Sequence, residues 1–64
     1  LMTGFQSRVV DELSELNLKI NALTAFTIGS VFKSLDPVDQ SLLLRQLDTM
    51  SAYRHILEKR IQRF

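Results

Sequence analysis

Apolar residues at Phe5, Val9, Leu13, Leu16, Ile20 and Leu23 recur in steps of four and three, and Leu43, Leu47, Met50, Leu57, Ile61 and Phe64 continue the same pattern later in the chain. That spacing gathers each set on one face of a helix with 3.6 residues per turn. The two stripes match under a single antiparallel register, which sets Phe5 opposite Ile61, Val9 opposite Leu57, Leu16 opposite Met50 and Leu23 opposite Leu43. The expected fold is therefore all-α: an antiparallel two-helix hairpin with a short helical turn in its connector. At about 1.5 Å of rise per residue, each helix is close to 40 Å long.

The boundaries are locally encoded. Thr3 and Gln6 have the spacing of a capping box, in which each side chain satisfies a backbone N–H of the other. The β-branched pair Thr27 and Ile28, followed by Gly29, marks an end at which glycine can take the left-handed cap conformation. Asp36 before Pro37 marks a second start, since the carboxylate can cap and proline at the first helical position forfeits no hydrogen bond. These signals predict one domain over 1–64, with helices over 4–27 and 37–63 and a connector over 28–36. In the connector Ser30 is expected to cap a single turn, with Phe32 and Leu35 plugging the closed end.

A chain of 64 residues can bury only about 60% of the surface its unfolded form exposes, so one small core is available. There is no Cys and only one His, which leaves neither a disulfide framework nor a metal cluster. Association is the remaining way to stabilise a protein this small. Val10, Leu18, Leu42, Leu44 and Ile56 lie outside the central stripes, and two helices alone leave half of each stripe in water. A homo-oligomeric helical bundle is expected to cover them. A net charge of +1 is no footprint for duplex nucleic acid. The apolar runs are far short of the roughly 20 residues that span a bilayer. No secretory leader is evident at the start, Leu1 ahead of Met2 reads as a cloning remnant before the natural initiator, and an intracellular location is expected.

Three polar groupings stand out. Arg54 falls within the core stripe, seven residues from both Leu47 and Ile61, and the register places Glu12 across from it. The pair is expected to form a partly buried ion pair that specifies register more than it stabilises. Gln46, Thr49, Tyr53 and Arg60 follow one flank of the second helix. Tyr53 there can stack on a nucleobase, Arg60 can grip a phosphate, and Gln46 and Thr49 can read base edges or hydroxyls. The competing reading is a polar rim between subunits, where tyrosine and arginine are also favoured. The third grouping is the basic end: Arg54, His55, Lys59, Arg60 and Arg63, which the hairpin brings beside Arg8 and the positive pole of the first helix. This is a candidate anion site, or simply cations complementing the negative pole of the second helix. His55 has no Asp, Ser or Cys at a motif spacing. Asp11, Glu12 and Glu15, with Arg8 and Lys19, have the pattern of a salt-bridged outer face. No phosphate loop, nucleophile elbow or metal-ligand run is present, so neither an enzyme, a cofactor nor a bound metal is expected.

Leu42-Leu43-Leu44-Arg45-Gln46, then Met50, Tyr53, Leu57 and Arg60-Ile61, together with Phe5, Arg8-Val9-Val10, Glu12-Leu13, Phe32 and Leu35, resemble a family of very short proteins of crAss-like and other tailed phages. The architecture is similar to that of phage anti-CBASS sponges, small helical hairpins whose oligomers sequester cyclic-nucleotide immune signals between subunits. The resemblance implies a counter-defence protein of the host cytoplasm that binds a signalling nucleotide at subunit seams without catalysis. Tyr53 would stack, Arg60, Arg63, Lys59 or Arg8 would hold phosphate, and Gln46 and Thr49 would add specificity. The alternative is a homo-oligomeric interaction module that binds and inhibits a host protein.

Overall fold

The computed structural model describes all residues, 1–64. Three helices follow in order, α1 (Gly4–Thr27), α2 (Ser30–Ser34) and α3 (Pro37–Gln62), with α1 and α3 packed along their length and α2 in the connector. The chain is all-helical, as the spacing predicted, and α3 ends one residue earlier than expected. Both predicted starts are built. The Gln6 N–H donates to Thr3 Oγ1 at 3.5 Å and the Thr3 N–H to Gln6 Oε1 at 2.9 Å, completing the capping box. Asp36 Oδ1 accepts from the Val38 N–H at 2.8 Å, with Pro37 in the first turn.

The end of α1 differs from expectation. Gly29 is not left-handed: its φ of −90° and ψ of 171° are extended, and no residue of the chain has positive φ. Helix α1 closes instead through the Gly29 N–H, which donates to the Phe26 carbonyl at 3.1 Å. The extended glycine then turns the chain straight into α2, for which it occupies the cap position. Ser30 is consequently the first residue of α2 and caps nothing. The turn is held by a group that the sequence did not single out. Gln40 Nε2 donates to the carbonyls of Leu35 at 2.9 Å and Lys33 at 3.3 Å, tying the first turn of α3 back to the connector.

The core is small. Val9, Leu16, Ile20 and Leu57 are its buried members, Leu57 completely, and Leu13, Leu47, Met50 and Ile61 pack against them. Both predicted stripes are represented. At the closed end Phe32 is buried and meets Phe26 edge to face, with ring centroids 6.3 Å apart; Leu35 is half-buried. At the open end Phe5 is half-exposed and meets Phe64 edge to face at 5.9 Å.

The molecule is a rod of 48 × 15 × 14 Å with a radius of gyration of 14.7 Å, against about 11 Å for a compact domain of this length. Its accessible surface of 4900 Å² exceeds the roughly 4,200 Å² typical of a folded monomer of this mass. Leu18, Leu42, Leu44 and Ile56 are all exposed, Leu18 to 71%. No helix is long and apolar enough to cross a membrane.

Candidate functional site

Each core position of α3 is preceded by a residue of one continuous flank: Leu42, Gln46, Thr49, Tyr53, Ile56 and Arg60 stand one place ahead of Leu43, Leu47, Met50, Arg54, Leu57 and Ile61. All six are exposed. The expected polar grouping is thus interleaved with Leu42 and Ile56. The sequence carried that signal, because these two continue the four-and-three rhythm of the flank.

Glu12 occupies the equivalent place on α1, immediately before Leu13. In an antiparallel pair the positions that precede the core on both helices share one side of the hairpin, and the Tyr53 hydroxyl donates to Glu12 Oε2 across that side. The expected pairing of Glu12 with Arg54 is therefore not what forms. Arg54 is half-buried at its core position, but the residue of α3 that reaches Glu12 is its neighbour Tyr53. The reason is direction: a side chain at a core position points into the helix seam, while one at the preceding position points along the edge where Glu12 also lies.

The Tyr53 hydroxyl is held above the ordinary tyrosine range, first by its hydrogen bond to Glu12, then by desolvation and the Glu12 charge; Arg60 opposes this by favouring the ionised form. Arg60 is accordingly an electrostatic neighbour of Tyr53. The flank therefore presents an aromatic ring, a carboxylate oxygen and a guanidinium in succession, in an otherwise open surface.

The remaining candidates divide. The Thr49 hydroxyl donates to the Arg45 carbonyl at 2.9 Å, and Gln46 Nε2 contacts Met50 Sδ at 3.8 Å, so both donors are engaged within α3 while their oxygens stay available. Arg8 precedes Val9 and shares the side of Glu12. Its Nη1 lies 3.3 Å from where a Cβ on Gly4 would stand, so the side chain runs back over the first turn of α1, toward the open end where Arg60 and Arg63 lie. Arg63 continues the flank as the residue that closes α3. Lys59 is exposed one step around the helix from Arg60. The structure thus gathers Tyr53, Arg60, Arg63 and Arg8 on one side, with Gln46 and Thr49 farther along it. No group of His, Cys, Asp and Glu is arranged to hold a metal ion, and the single chain encloses no pocket.

The chain is a small all-helical hairpin whose polar flank is open and which encloses no cavity. The comparisons place it among phage proteins: residues 3–63 match the Sequestin family model, and the chain belongs to that family. It is also 44% identical over 63 residues to a protein of Enterobacteria phage T4, described as an uncharacterized 7.5 kDa protein in the denB-rIIB intergenic region, with 98% of each chain covered. No solved structure matches it.

Proposed function

We propose that this chain is a phage counter-defence protein that acts in the host cytoplasm by sequestering a nucleotide immune signal at seams between its own copies, without catalysis. The observation that supports the reading is the flank that carries Tyr53, hydrogen-bonded to Glu12, and Arg60 two helical turns further along α3. A ring that stacks and a cation that grips phosphate are the two things a nucleotide requires of a protein. The family name, Sequestin, suggests a protein that withholds something, which agrees with binding in place of turnover. The reading extends the family to crAss-like and other tailed phages.

A second copy supplies what one hairpin lacks. An exposed flank surrounds no ligand, and ligand sites ordinarily bury most of the ligand surface. A homo-oligomer packed through Leu42 and Ile56 would place a wall opposite Tyr53 and Arg60 and cover apolar surface at the same time.

The experiment is a thermal-shift and calorimetric screen against cyclic di- and trinucleotides and ADP-ribose derivatives. A bound member at a hundred times its dissociation constant stabilises the fold by about 2.7 kcal/mol, which a melting curve resolves. Tyr53→Ala and Arg60→Ala should each abolish the shift and leave the oligomer intact. If no member shifts the melting curve, sequestration of a nucleotide is wrong.

In that event the second reading gains, a module that binds and inhibits a host protein. It is favoured by the closed end, where Ile28, Val31 and Val38 form an exposed apolar tip, Ile28 to 75%. Capture of a defined host partner that is lost in Val31→Asp would support it.

A further inference from the structure

Each long helix carries a second stripe on the side turned away from the hairpin seam. On α1 it is Asp11, Glu15, Leu18, Ala22 and Phe26, recurring in steps of four and three, and all five are exposed. Leu18, at 71%, is the most exposed large apolar side chain of the two long helices. On α3 the stripe is Leu44, Asp48, Ala52, His55 and Lys59, again all exposed. At 3.6 residues per turn both stripes lie nearly half a turn from the core positions, so they form the two opposite edges of the hairpin. Neither includes Tyr53, Arg60 or the rest of that flank.

We infer that the α1 edge docks on the α3 edge of another copy, in a head-to-tail seam that is separate from the Leu42 and Ile56 flank and independent of the nucleotide reading. One antiparallel register makes the two stripes complementary. It sets Asp11 against Lys59, Glu15 against His55, Leu18 against Ala52 and Phe26 against Leu44, and it brings Asp48, opposite Ala22, within a turn of Lys19. Acid meets base, and the projecting leucine meets the smallest residue of the facing stripe. The antiparallel sense needs no special arrangement. Because α1 and α3 already run in opposite directions within one hairpin, a neighbour lying alongside in the same orientation presents its α3 antiparallel to this α1. A contact between two unlike surfaces of this kind is heterologous, each copy offering the edge that its neighbour lacks. Pairing α1 with a second α1 about Leu18 would bring no cation to Asp11.

The test uses the full chain carrying Ile56→Lys, which weakens association through the flank, and reads mass by light scattering at matched concentrations. This protein should still associate beyond the 7.4 kDa of one copy. Adding Leu18→Glu or Ala52→Glu places a carboxylate at an exposed position, so helicity by circular dichroism should be unchanged while association weakens roughly tenfold or more. Mixed one to one, these two variants should form a pair of twice the unit mass, because one retains an intact α3 edge and the other an intact α1 edge. Docking of α1 on α1 gives no such rescue.

A unit mass for the Ile56→Lys protein at every concentration overturns the inference, as does association that neither glutamate alters, or a mixture that stays at unit mass. Charge exchange supplies a reading that holds even where a glutamate variant loses helicity. Asp11→Lys and Lys59→Asp should each weaken association by about two- to fivefold, and the two together in one chain should restore it. Failure of the double variant to recover would rule out the register that pairs Asp11 with Lys59.

Discussion

The Tyr53 hydroxyl donates to the Glu12 carboxylate across the hairpin, joining residues 41 positions apart at the edge of the core. Ionising Tyr53 removes the donated proton and leaves a phenolate facing a carboxylate, which is why its pKa is raised; Arg60 offsets part of this. With the folded value above the ordinary value of about 10, the contribution to stability is complete below pH ~10 and is lost as pH rises through the raised pKa. Tyr53 is the one tyrosine and there is no tryptophan, so ultraviolet absorbance follows its titration without interference. The midpoint should lie above 10 and return toward 10 in Glu12→Gln. An unshifted midpoint in the unmodified protein would mean that the bond does not persist in water.

Leu57 is fully buried and packs where the two stripes meet. Leu57→Ala should cost about 3 kcal/mol, the usual cost of lost burial plus a residual cavity. Globular proteins hold roughly 0.05–0.15 kcal/mol per residue, so this is comparable to the lower end of what a chain of this size possesses. Urea unfolding followed by circular dichroism should show most of the stability gone. A loss under 1 kcal/mol would argue against the core described above.

Exposure of Leu42 and Ile56 beside Tyr53 predicts association through this flank. Light scattering across a dilution series should give a mass that is a multiple of 7.4 kDa. Ile56→Lys should shift the equilibrium toward smaller species at equal concentration, since a lysine ammonium resists burial in an apolar seam. A unit-mass species at every concentration, still helical and cooperatively unfolding, contradicts the oligomer.

Gly29 supplies a further contrast. In a left-handed cap, alanine would be strained, whereas the observed φ of −90° suits any residue. An added Cβ would lie 3.4 Å from the Phe26 carbonyl oxygen, close to ordinary contact. Gly29→Ala should therefore leave stability within about 1 kcal/mol, with the reduced freedom of the unfolded chain offsetting the contact. A larger loss in thermal melts would point to a left-handed conformation.

The cap at Asp36 has a more conventional expectation. Asp36→Ala removes the acceptor of the Val38 N–H and should cost about 1 kcal/mol. Asp36→Asn should recover most of it, because the amide oxygen can accept the same bond. Equal losses in both variants would assign the effect to charge at the positive pole of α3 instead.

The sequence by itself determined the two long helices, their starts and the apolar set between them. Caps act over three residues and stripes over one helix face, so Thr3 with Gln6, Asp36 with Pro37, and the leucine spacing carry that information locally. Only the tertiary structure decided what the polar residues meet. Whether Glu12 engages Arg54 or Tyr53 depends on where each side chain points relative to the seam, a difference of one position that a pairing register does not resolve. The same holds for Gly29, whose conformation follows from how abruptly α2 departs, and for Gln40, whose partners are connector carbonyls brought within reach by the fold. The site was legible as a set of residue types along one flank. Its centre, the hold of Glu12 on Tyr53, appears only when α1 and α3 are set side by side.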